Sequence, residues 1–209
     1  MAITFTPQDF YGGAIKGTIP QDWIDASTLR EIPDHQELFL SPTTLSSQII
    51  EVNQYVPADE AADAPIQHLS TTSLDPAVRY HIHDLCDPGD KWESITAADQ
   101  VTMARMPNVP AYSGHAIMTS LTRQRRGAQS ESLGGAAAGS SAEGGLESKV
   151  SVHYLIVRLE RQGTDLVVFF NVPHQEFGSE ALRQEEELAQ KAIRTLVGTL
   201  EIVDWGLFA

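Results

Sequence analysis

The chain has 209 residues, with 14 Lys plus Arg against 28 Asp plus Glu and a formal net charge of −14. That length fits one domain, or one domain with a long insertion. The charge argues against binding nucleic acid or anionic lipid through the bulk field and makes a basic partner the natural complement, although acidic proteins are also simply soluble.

Cys86 is the one cysteine, so no internal disulfide can form, which favours a reducing compartment. The opening "MAITFTPQDFYGG" lacks a basic n-region and an apolar h-region, so no secretory signal is expected. No stretch approaches the ~18 apolar residues of a membrane span. A soluble cytosolic or nuclear protein is expected, without membrane association.

In chain order, "FYGGAIKGTIP" (10–20) places two glycines at a turn and then a short strand ended by Pro20. The glycine pair lacks the spacing, lysine and helix of a phosphate loop. Residues 23–33 read as loop, because Pro33 disfavours helix at Ile32, and Leu38 to Leu40 read as strand. "SQIIEVNQYV" (47–56) alternates with Ile50, Val52 and Val56 on one face, which predicts a half-buried strand. Residues 57–73 show no period and read as loop.

In "LDPAVRYHIHDLCDPG", Asp75 can cap a helix, Pro76 suits its first turn, and Val78, Ile82 and Leu85 form an apolar stripe ended by Pro88-Gly89. Segments 114–123, 150–159 and 165–173 are β-like and predict an antiparallel meander, with Gly163 in the last hairpin. Residues 127–148, rich in Gly, Ser and Ala, predict a disordered insertion within a single domain spanning 1–209. "SEALRQEEELAQKAIRTLVGTL" predicts a helix capped by Ser179, with Leu182, Ala189, Ile193, Leu196 and Leu200 on one face. Trp205, Leu207 and Phe208 predict a C-terminus docked on the body.

Catalytic motifs are weak. His81 and His83 in "HIHDLCD" would share one face of a strand, as zinc ligands can, but on a helix i and i+2 point about 200° apart. Ser113-Gly114-His115 lacks the flanks of a nucleophile elbow, His174 follows a strand, and Cys86 reads as a small core residue. No catalytic residue, metal or cofactor is expected. A metal-dependent enzyme using His81, His83 and nearby acids remains as an alternative.

One cluster stands apart: "DASTLREIPDHQELFL" (25–40) crowds Asp25, Glu31, Asp34 and Glu37 around Arg30. By composition alone it is a solvated loop. However, "YGGAI" (11–15), "IDASTLREIPDHQELFL" (24–40), "KWE" (91–93), "TDLVVFFNVP" (164–173) and "IVDWGLFA" (202–209), in this order, resemble the Ran guanine nucleotide release factor family. The resemblance implies a PsbP-like α/β/α sandwich, with a mainly antiparallel sheet of about six strands flanked by helices. It implies a non-catalytic nuclear-transport factor, in nucleus and cytoplasm, that binds the GTPase Ran and promotes nucleotide release. By position it implies a Ran-binding set of Asp25, Asp34 and Glu37, with Arg30 also matching the motif. The long insertion departs from the family's shorter connection. A PsbP-type ligand-binding module without a GTPase partner is the other alternative, and a monomer is expected.

Such a surface is physically coherent. Pro33 limits the freedom lost on binding, a local turn could aim Asp34 and Glu37 outward together, and Arg30 could fork onto a neighbouring acid. Clustered acids steer and register a basic partner.

Overall fold

The structure, a computed structural model, describes residues 3–26, 29, 31–57, 75–122 and 146–208. Its centre is a seven-stranded antiparallel sheet. In chain order the strands are β3 (Ile24–Asp25), β4 (Gln36–Leu40), β5 (Ser47–Gln54), β6 (Lys91–Val101), β7 (Ala111–Thr122), β8 (Leu146–Leu159) and β9 (Thr164–Pro173). Their spatial order is β3-β4-β5-β9-β8-β7-β6. A second sheet joins β1 (Phe5–Phe10), β2 (Ile15–Pro20) and β10 (Glu201–Ile202). Among the described residues the α-helices are α1 (Pro76–Asp84) and α2 (Ser179–Thr199). This is the expected class, with one more strand in the main sheet and a small extra sheet.

The meander forms as expected: β7 pairs with β8 and β8 with β9. Both central strands are buried along most of their length because each is covered on two faces. Leu155 and Val157 of β8 and Leu166, Val168 and Phe170 of β9 meet Ala189, Ala192, Ile193 and Leu196 of α2. Tyr154, Ile156, Val167 and Phe169 meet Val78 and Ile82 of α1 on the other side. Antiparallel sheets often leave one face to solvent; here the two helices make the sheet the middle layer. Phe10, Ile15 and Ile19 bring the small sheet into the α2-side core.

Asp75 caps α1 as expected, accepting from the Ala77 N–H at 3.0 Å. The expected Ser179 cap is not used: α2 begins at Ser179, Gly178 holds the cap position, and no side chain caps it. Of the C-terminal residues, Ile202 is buried and Phe208 packs on the α2-side core, whereas Trp205 and Leu207 are exposed. The tail therefore docks through fewer side chains than expected.

Residues 127–145 of the expected insertion, like most of the 57–73 loop, lie outside the described residues. Residues 146–148 belong to β8, where Leu146 pairs with Thr122. The segment 91–101 is an edge strand unrecognised in the sequence, as is β1.

The ligand pair of the metal-enzyme alternative is not brought together on α1. His81 is buried in α1, with Nε2 2.9 Å from Asp165 Oδ2, whereas His83 is exposed. Asp165 also accepts from Arg158 Nε and the Val56 N–H, each at 3.1 Å, and the Arg158 guanidinium lies over the Tyr55 ring at 4.2 Å. This network ties α1 and the end of β5 to the sheet.

Candidate docking surface

The site begins at the β1–β2 turn. Phe10 pairs with Ile15, leaving Tyr11 to Ala14 to reverse the chain. Tyr11, Gly12 and Gly13 take φ values of 49, 64 and 93°. Glycine adopts these freely, but a tyrosine there carries a backbone cost and needs fixing.

Three contacts hold it. The Tyr11 N–H donates to Glu37 Oε1 at 2.7 Å, and its hydroxyl donates toward the carbonyls of His35 and Ile50, each at 2.9 Å. Burial, then the Glu37 and Glu51 carboxylates, push the phenol pKa well up, keeping it a donor. On the far side of the turn, the Ala14 carbonyl accepts from the N–H groups of Val203 and Asp204 at 2.8 and 3.1 Å. "YGGAI", "IPDHQE" and "IVDWGLFA" are thus parts of one lip, although far apart in the chain.

The expected site residues separate in this frame. Asp34 is exposed in the turn after Pro33, which is closed by the Gln36 N–H to the Pro33 carbonyl at 2.9 Å. Asp25 is exposed on the two-residue edge strand β3, opposite Phe39 of β4. Glu37 is not aimed outward with Asp34: it is half-buried in β4 and turned onto Tyr11. Burial raises the Glu37 pKa and nearby Asp25 raises it further, against the lowering effect of the Tyr11 N–H. The structure therefore brings Asp25 and Glu37 together, with Asp34 on the adjoining turn. Arg30 lies outside the described residues.

Exposed Glu31 adds a further acid, while Ile24 and Leu29, 42% and 65% exposed, add apolar surface. Acids beside exposed aliphatic side chains suit a protein partner, since charge orients and apolar contact holds. Sequence reasoning missed the bond between Tyr11 and Glu37. An aromatic residue directly before two glycines, at a strand end, is the signal that could have suggested an anchored turn.

Residues 8–173 match the family model described as Ran-interacting Mog1 protein, a span that includes the turn, the acidic motif and β9. The chain belongs to the Mog1 family. It is 30% identical over 174 residues to a probable Ran guanine nucleotide release factor of Dictyostelium discoideum, covering 82% of this chain and 75% of that protein. It is 26% identical over 211 residues to the nuclear import protein MOG1 of Saccharomyces cerevisiae, covering 96% and 84%. The crystal structure of the Ran-binding protein Mog1p from Saccharomyces cerevisiae superposes over the full length of both chains, with a TM-score of 0.62 at 22% identity. At that identity the superposition speaks for the Mog1 fold alone.

Proposed function

We propose that this chain binds Ran and promotes guanine-nucleotide release from it, docking through the lip formed by residues 24–26 and 31–37, with Leu29, and the Tyr11–Ala14 turn. Family membership supports the partner, and relatives carry the name Ran guanine nucleotide release factor. The observation that carries the surface is the exposed set Asp25, Glu31 and Asp34, set beside Ile24 and Leu29 on a lip braced from two sides.

Release needs no catalytic side chain. A protein that binds nucleotide-free Ran more tightly than nucleotide-bound Ran lowers nucleotide affinity by the same factor, by linkage. The chain acts in this role as a single-domain monomer, in nucleus and cytoplasm, without nucleic acid or membrane. Among the described residues no helix is long and apolar enough to cross a membrane.

The test is Ran binding and release of a fluorescent nucleotide by wild type, Asp34→Lys and Asp84→Lys at two salt concentrations. Asp34→Lys weakens binding by about 30-fold, for ~2 kcal/mol, and slows release in parallel. Asp84→Lys, on α1, leaves both nearly intact. Wild-type behaviour of Asp34→Lys together with loss in Asp84→Lys would move the docking surface elsewhere.

A further inference from the structure

Four polar side chains from four elements converge between the sheet and α2, away from the docking lip. His115 of β7 and His153 of β8 are direct cross-strand partners, and their rings stack at 3.9 Å and 6°. Glu186, in the first half of α2, places Oε2 2.6 Å from His153 Nε2 and 3.6 Å from His115 Nε2. His174 follows β9, with Nε2 3.7 Å from Glu186 Oε1 and 2.7 Å from Ser151 Oγ. The ligand atoms of His115, His153 and Glu186 all lie within 4.8 Å of one another.

Hydrogen bonding leaves this cluster incomplete. Glu186 serves His153 at close range, but His115 Nε2 is buried and has no hydrogen-bond partner. A buried unpaired ring nitrogen carries a desolvation cost. Burial first, then His153, hold the His115 pKa down to about 4, so its ring is neutral near neutral pH. The cluster is also reachable, since the His115, His174 and Glu186 side chains are 19%, 21% and 24% exposed. It is not a catalytic triad, because buried Ser151 and Glu186 both approach the same nitrogen of His174.

We propose that His115, His153 and Glu186, with His174 as fourth donor, form a site for a divalent transition-metal ion, zinc above all. Two or three imidazoles and one carboxylate are a nitrogen-rich set that suits zinc, copper or nickel, whereas calcium and magnesium require oxygen donors. Tetrahedral zinc with bonds of about 2.0–2.2 Å needs its ligand atoms about 3.3 Å apart. From Glu186 Oε2, His153 Nε2 at 2.6 Å and His115 Nε2 at 3.6 Å lie on either side of that value, and His174 Nε2 lies 3.7 Å from the other carboxylate oxygen. Parallel stacked rings do not aim both lone pairs at one point, so binding fans His115 and His153 apart about χ2, a soft torsion. The bound ion then ties α2 to β7, β8 and the end of β9.

The experiment uses the full chain without a histidine tag, titrated with Co²⁺ and then Zn²⁺ near neutral pH. One equivalent of Co²⁺ should give the visible absorption of a four-coordinate ion, displaced by Zn²⁺. Zinc should raise the unfolding midpoint, and a chelator should reverse the rise. Glu186→Gln and His115→Asn should each weaken binding at least about tenfold, the scale of losing a metal-site partner, while His83→Asn on α1 should not. Circular dichroism checks each variant; if one fails to fold, His174→Asn and the chelator-reversible stabilisation of wild type decide. No four-coordinate Co²⁺ spectrum from the wild type, or unchanged binding by the folded cluster variants, would overturn the proposal.

Discussion

Glu37 is the residue whose role changes most once the turn is seen, and its replacement separates bracing from docking. Its carboxylate accepts the N–H of a tyrosine held at φ 49°. Hydrogen bonds to charged groups contribute ~1.5–3 kcal/mol, and partial exposure lets water replace some of this, so Glu37→Ala should cost about 1–2 kcal/mol. For a chain of this length that lowers the unfolding midpoint by about 2–8 °C. Glu37→Gln keeps an acceptor and should stay near wild type at neutral pH. Folding raises the Glu37 pKa, so the folded chain holds that proton more tightly than the unfolded one. The associated stability is fully present below the ordinary value of 4.5 and is lost as pH rises through the higher folded pKa. Glu37→Gln should remove that slope. The assay is thermal and urea unfolding of the three proteins across acid to neutral pH, with Ran binding alongside. An unshifted midpoint in Glu37→Ala, or a wild-type pH slope in Glu37→Gln, would refute the bracing role.

Three further outcomes are expected. Arg158→Met removes the cation beside buried Asp165 and should cost ~3–5 kcal/mol, seen as a lower urea midpoint with an unchanged slope. Gly114→Ala would drive a methyl into the Tyr154 hydroxyl and should cost ~1–3 kcal/mol; adding Tyr154→Phe should recover part of the lost thermal stability. Deleting residues 205–209 removes one packed side chain, Phe208, and two exposed ones, so calorimetry should record a loss of only about 1–2 kcal/mol.

The two-sided core was legible because its signals are local. Strand β9 is largely an apolar run and β8 carries the apolar stretch Tyr154–Val157, while α1 and α2 carry apolar stripes at helical spacing, with an Asp-Pro start for α1. Strand β6 was not legible: "KWESITAADQV" buries Trp92 alone, and its register shifts after Ser94 and Thr96 break the alternation. Strand β1 holds one fully buried residue, Phe10, among polar neighbours. The acidic motif was visible as a cluster, but the division between exposed Asp34 and inward Glu37 depends on Tyr11, 26 residues earlier. Likewise, His115, His153, His174 and Glu186 have no spacing that a local motif could betray, since four separate elements deliver them.

The pairing of early strands with late ones bears on how the chain comes to fold. Ser47 of β5 finds Asn171 of β9, and Lys16 of β2 finds Glu201 of β10. A nascent chain that ends before Thr164 holds the β1–β2 and β4–β5 hairpins but lacks the strand that joins β5 to β8. Such long-range closure is slow and leaves apolar segments exposed in the meantime. The lip matures last of all, because the Ala14 carbonyl waits for Val203 and Asp204 to be synthesised. A ribosome stalled in the final helix would therefore carry a chain with Phe10 and Ile15 still seeking cover, a target for chaperones and proteases before it is a partner for anything else.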